Sequence, residues 1–322
     1  MGILTINTDP YKLWGDSYQP EHDYSKDYLT FEVLEDGTFT VSINPSAISN
    51  YRKLYYSIDE GETWIDIISN LNEPEDDWYY YTSPTITSET NILWKGDIDS
   101  LSYNYDKALK IISTFTFNAS GNPFFLFRGV DWESASTDYE ISALFSENNK
   151  IISAENLYLS FDNTIGGKVF TCRNHYGLNL LFYGCSNLEV APKTLPNELF
   201  ESCFSFMFEY CSKLTSVPLD YLPVTTLAPY CYEEMFSGCT NLVQAPELPA
   251  TTLTQSCYSQ MFNQCSKLNR IKMMATDISA TSCLNYWVSG VATTGTFVKN
   301  KDAEWTKTGA SGVPTGWTVE TV

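Results

Sequence analysis

Apolar and polar residues alternate through Leu29, Phe31 and Val33, and again through Phe39, Val41 and Ile43, on either side of an Asp36-Gly37 step. A period of two marks a half-buried strand, and Asp-Gly between two such runs predicts a β-hairpin. Further runs of strand character at 53–57, 63–68, 78–82, 91–95 and 111–117 are separated by turn residues, a spacing that suits an antiparallel β-sandwich over 28–125. Residues 1–27 carry neither a strand nor a helix period. Their isolated apolar side chains, including Tyr11, Leu13 and Trp14, suit an extended arm that anchors on a partner, with a frayed terminus as the alternative.

The pattern of the second half is a repeat. Four segments align without gaps: Leu181-Phe182-Tyr183-Gly184-Cys185-Ser186-Asn187-Leu188, Met207-Phe208-Glu209-Tyr210-Cys211-Ser212-Lys213-Leu214, Met235-Phe236-Ser237-Gly238-Cys239-Thr240-Asn241-Leu242, and Met261-Phe262-Asn263-Gln264-Cys265-Ser266-Lys267-Leu268. Cys185, Cys211, Cys239 and Cys265 recur every 26 to 28 residues, inside the range of leucine-rich repeats. A degenerate first unit starts at Leu144-Phe145, and a fifth begins at Cys283 with Trp287 in the Met position. Cys231, Met235, Phe236 and Cys239 fall within one broad face at 3.6 residues per turn, which predicts a short helix in each unit. The Ala-Pro and Leu-Pro steps that follow stop that helix and pass into a short strand. The expected fold class is therefore α+β multidomain: an N-terminal antiparallel β-sandwich, then a short leucine-rich-repeat solenoid over 126–287 with a C-terminal cap at 288–322.

The string Cys231-Tyr232-Glu233-Glu234-Met235-Phe236-Ser237-Gly238-Cys239-Thr240-Asn241-Leu242, with Ala245-Pro246 and Leu248-Pro249 after it, resembles the BspA-type leucine-rich repeats abundant in surface proteins of gut Bacteroides. Related modules occur in structural proteins of tailed phages, the crAss-like phages among them. The resemblance spans about residues 140–322 and implies adhesion or virion-surface display rather than a reaction. Bacterial members carry an export signal, and Met1-Gly2-Ile3-Leu4-Thr5 does not read as one. The expectation thus shifts toward a virion protein assembled in the host cytoplasm.

Charge sharpens this division. The net charge is −20, and residues 1–150 hold 25 acidic and 9 basic side chains against 14 and 10 in residues 151–322. Such a balance repels nucleic acid and anionic membrane, so neither is an expected partner. No apolar run is long enough to span a bilayer. Hydrophobic residues at 43% and aromatic residues at 15% are too many for a disordered chain.

Candidate chemistry adds little to that expectation. All 9 cysteines lie in the second half, and pairs such as Cys203 and Cys211 are eight apart, too far along one helix for a disulfide and wider than a zinc knuckle. Reduced thiols packed in the repeat core are the expectation, with zinc or inter-repeat disulfides as alternatives. The expected core of the units comprises Leu181, Phe182, Cys185 and Leu188; Met207, Phe208, Cys211 and Leu214; Met235, Phe236, Cys239 and Leu242; and Met261, Phe262, Cys265 and Leu268. Ser57, Asp59, Gly61, Thr63 and Trp64 fit the Ser-x-Asp-x-Gly-x-Thr-Trp box of sialidase propellers, where it stabilises a turn away from catalysis. Glu73, Glu75, Asp76 and Asp77 form an acidic run that reads as a solvated loop, with calcium as the alternative. Trp78-Tyr79-Tyr80-Tyr81 offers either a sugar platform or half a β-core, and Cys172-x-x-His175 lacks a third orienting group. No catalytic, cofactor-binding or metal residues are assigned, and the chain is read as a non-enzyme. The expected function is a virion fibre or decoration protein of head or tail. Its arm would dock on capsid or tail proteins, its repeats would meet a host glycan or protein, and its copies would form a homo-oligomer. A bacterial cell-surface adhesin is the alternative, and a glycan-active enzyme the third reading.

Overall fold

The computed structural model describes residues 27–43, 51–72, 78–98, 110–127, 144–165, 168–171 and 177–322. Eight strands come from the first four of these segments and build most of two sheets: β1 (Leu29–Val33), β2 (Phe39–Ile43), β3 (Tyr51–Ser57), β4 (Ile65–Asp66), β5 (Tyr79–Thr82), β6 (Asn91–Ile98), β7 (Lys110–Ser113) and β8 (Phe117–Gly121). With β9 (Ile151–Leu157), the larger sheet runs β4-β3-β6-β1-β8-β9, and the smaller runs β5-β2-β7. Leu29, Phe31 and Val33 of β1 and Phe39, Val41 and Ile43 of β2 are all buried, as alternation requires. The Phe39 ring lies 5.0 Å from both Tyr56 and Trp94, so the two sheets share one aromatic core.

The hairpin expected at Asp36-Gly37 does not form. β1 pairs with β6 and β8, and β2 with β5 and β7, so the chain crosses from one sheet to the other at this step. The run 111–117 is likewise split, β7 lying in the small sheet and β8 in the large one. Thr114 joins the two crossings: its Oγ1 accepts from Thr38 N at 2.8 Å, and its N donates to Thr38 O at 2.8 Å. A Cβ on Gly37 would fall 2.5 Å from that Oγ1, so the corner needs glycine for closeness of approach rather than for a hairpin turn.

β9 pairs in parallel with β8 and carries the large sheet into the repeats. Among the described residues the repeats contain no helix. Residues 177–184, 201–210, 229–238, 255–264 and 281–290 are five tiers of consecutive turns. Within a tier every fourth residue has positive φ, as at Ser202, Phe206 and Tyr210, then Tyr230, Glu234 and Gly238, then Ser256, Gln260 and Gln264. Amides alternate between two kinds of partner. Cys203, Ser205, Met207 and Glu209 donate to the carbonyl three residues earlier, whereas Phe204, Phe206, Phe208 and Tyr210 donate to Cys231, Glu233, Met235 and Ser237 of the next tier at 2.8–3.1 Å. An α-helix would spend every amide internally and leave none for a neighbour. A left-handed residue costs about 1–2 kcal/mol, and the bonds between tiers offset it.

The α+β class, and with it the leucine-rich-repeat solenoid of strand-and-helix units, is therefore corrected. The molecule is nearly all β: among the described residues there is no α-helix, only 3-10 turns at Ile68–Asn70 and Pro123–Phe127, several sheets and the tiers. The first sheet is also mixed rather than wholly antiparallel, because β8 and β9 are parallel. The helical expectation fails because buried side chains four apart, Cys231, Met235 and Cys239, suit a chain of four-residue turns as well as a period of 3.6.

Two short sheets complete the fold: β10 (Asp162–Ile165) with β11 (Lys168–Thr171), and the parallel β12 (Arg270–Met273), β13 (Thr296–Lys299) and β14 (Thr318–Thr321). The last tier is covered by residues 310–312, where Val288 N donates to Ala310 O, Tyr286 N to Ser311 Oγ and Trp287 Nε1 to Gly312 O. The buried residues form one cluster from β1 to Trp317. Its spine is a file of rings: Phe31 meets Phe145, and Phe145, Phe182, Phe208, Phe236 and Phe262 then stack at 5.4–5.8 Å with planes within 9°.

Candidate recognition surface

The side chains of each tier divide into an inner and an outer set. All sixteen residues expected in the repeat core, from Leu181 to Leu268, are fully buried. The cysteines do more there than fill space. The thiols of Cys185, Cys211, Cys239 and Cys265 donate to the carbonyls of Phe145, Phe182, Phe208 and Phe236 in the preceding unit at 2.8–3.1 Å. All eight described cysteines are unpaired thiols, and burial pushes each of them up, Cys203 to about 12 and Cys257 to about 11. Thiols so protonated and enclosed make poor nucleophiles. A second file, Phe204, Tyr232 and Tyr258, stacks at 5.9 Å between neighbours.

The outer set on the strand side is built of matched polar groups. Lys193 meets Glu155 at 3.7 Å, Lys213 meets Glu189 at 3.6 Å and Lys272 meets Glu247 at 2.9 Å, each pair joining one unit to another. Amides continue the pattern, with Asn187 Nδ2 donating to Asn149 O and Asn241 Nδ2 to Ser212 O, both at 2.7 Å. Exposed Val190 and Val243 sit among them.

The turn side differs. Glu209 is buried, and Glu233 and Glu234 are half-buried beside it. Burial and the neighbouring Glu234 push the Glu209 carboxyl up to about 7; burial also raises Glu233 and Glu234. Gln260 Nε2 donates to Glu234 Oε1 at 2.7 Å. Exposed Tyr210 lies over Gly238, where a Cβ would come within 2.6 Å of its ring, and the Tyr183 ring meets it edge-on at 5.7 Å. Glu209 and Glu234 escaped the sequence reading, although they lie 25 residues apart, close to one repeat period.

No family model, curated protein or solved structure matches this chain. Tyr11, Leu13 and Trp14, the acidic run from Glu73 to Asp77, and Cys172 with His175 lie outside the described residues. In the box, Ser57 Oγ donates to Asp59 Oδ1 at 2.7 Å, while Asp59 Oδ1 and Oδ2 accept from the N and Oγ1 of Thr63. These bonds hold the Asp59 carboxyl at about 2. Trp64 lies under Lys95 Nζ at 3.7 Å and against Tyr28. Trp78, Tyr79, Tyr80 and Tyr81 are all half-buried, and the Tyr81 hydroxyl bonds that of Tyr56 at 2.7 Å. Among the described residues no three His, Cys, Asp or Glu side chains are grouped to hold a metal, and no helix is long and apolar enough to cross a membrane.

Proposed function

We propose that this chain is a non-enzymatic structural protein of a phage particle. Its N-terminal arm docks on capsid or tail proteins, and its tiers are displayed outward to bind a host-surface glycan or protein. The observation that carries this reading is the division of labour within each tier. The described thiols are buried in the core, while the outer columns repeat amides, carboxylates, lysines and tyrosines along a stack bonded from tier to tier. A surface of that kind suits many weak contacts multiplied by copies on a particle, for which a homo-oligomer is the natural form. The BspA-type resemblance of the repeat string supports the same reading.

The test is proteomic and then genetic. Purified virions should contain this chain in stoichiometric amount, and deletion of residues 1–27, with Tyr11, Leu13 and Trp14, should abolish its incorporation. Virions that lack the chain, or that incorporate the truncated protein normally, would contradict the assignment or the anchor respectively.

A further inference from the structure

The turn side holds one arrangement that neither packing nor display requires. Glu209 in the second tier and Glu234 in the third meet across the boundary between these tiers, which the bonds Phe206 N to Glu233 O and Tyr210 N to Ser237 O close at 2.9 and 2.8 Å. Only 5% of Glu209 is exposed. The groups that face the pair are Tyr210 from the same tier as Glu209, Glu233, Ser237 and the Cys239 thiol from the unit after, and Gln260 beyond; Tyr183 from the tier before meets Tyr210, and Ser259 bonds Glu233. Among the described residues no Lys, Arg or His pairs with Glu209, Glu233 or Glu234, whereas Glu155, Glu189 and Glu247 on the strand side each meet a lysine. Two carboxylates in contact, one of them buried and with no cation, cannot both ionise cheaply.

We propose that Glu209 and Glu234 share one proton across this boundary, so that the second and third tiers separate more readily as pH rises past neutrality. With the proton in place the pair carries one negative charge and one carboxyl donates to the other. Loss of that proton to solvent leaves two charges facing each other, one of them buried. The direction follows from linkage: a carboxyl raised to about 7 when folded, against about 4.5 in the free side chain, holds its proton in the folded state when the unfolded chain has already lost it. The folded tiers are thus favoured below that range and lose the advantage as pH rises through the folded value.

Hydrogen exchange on the full chain tests this directly. The amides of Phe206, Phe208 and Tyr210 bridge the second and third tiers, and those of Tyr258 and Gln260 bridge the fourth and fifth. Between about pH 6 and about pH 8.5, after correction for intrinsic exchange, the opening constant at the first boundary should rise roughly tenfold, the effect of one pK unit, while the second stays level. Glu209→Gln, and independently Glu234→Gln should the first variant fold poorly, should flatten the response. An equal response at both boundaries, or an undiminished one in both variants, would overturn the proposal.

Discussion

At Gly238 a single hydrogen atom decides whether two tiers can close. Its φ is 72°, and an added Cβ would meet the Tyr210 ring at 2.6 Å. Gly238→Ala should cost about 1–2 kcal/mol from the left-handed backbone alone, with more from the ring. Adding Tyr210→Ala should recover the second part and not the first, which a double-mutant cycle in denaturant reads directly. Asp59 makes a prediction in pH. Its carboxyl is held at about 2 by Thr63 and Ser57, so its contribution to stability is present above the unfolded value of roughly 3.9 and fades as pH falls toward the folded one. Asp59→Asn should therefore flatten the acid limb of a melting curve between about pH 4 and pH 2; an unchanged limb would show that the box does not hold this carboxylate. Tyr221 works the other way. Its hydroxyl is buried and has no hydrogen-bond partner among the described residues, so Tyr221→Phe should leave stability unchanged or raise it by about 1 kcal/mol.

At the scale of the element, the tier explains why cysteine recurs. A thiol is small enough for the core and still donates to the Phe carbonyl of the preceding unit, which alanine cannot do. Cys239→Ala should destabilise by about 1–3 kcal/mol through the lost thiol bond and the lost volume, while the Phe208 carbonyl keeps its bond from Cys211 N. In the native protein the eight described thiols should resist alkylation at mildly alkaline pH and all react after unfolding; rapid native labelling would contradict their burial. This scale also shows where the sequence stops being legible. The inward residues, Met235, Phe236 and Cys239 among them, were readable from the alignment of units because burial follows the repeat whatever the backbone does. The backbone itself was not readable, because a four-residue turn and a helix bury nearly the same positions, and most of the left-handed sites, Phe206, Glu234 and Gln260 among them, carry no diagnostic glycine. Likewise Asp36-Gly37 marked a break between two strands but could not reveal that they join different sheets, where Thr38 meets Thr114 far along the chain.

For the whole molecule, the ring file from Phe31 to Phe262 makes the sandwich sheets and the tiers parts of one core. Phe208 stands in its middle, 5.4 Å from Phe182 and 5.5 Å from Phe236, and Phe208→Ala should cost about 3–5 kcal/mol. The outer columns carry the proposed adhesive function, and the register that aligns them descends from the bonds between tiers. Without that register the outer columns would not align, and the Glu234 backbone reports on it. Its φ is 53° and its amide donates to Ser259 O of the next tier at 2.9 Å. Measurement of φ-dependent backbone couplings at Glu234 in isotopically labelled protein should return a left-handed angle with an amide bonded across the tier. A negative, helical φ with that amide bonded to the carbonyl of Tyr230, four residues earlier, would contradict the account.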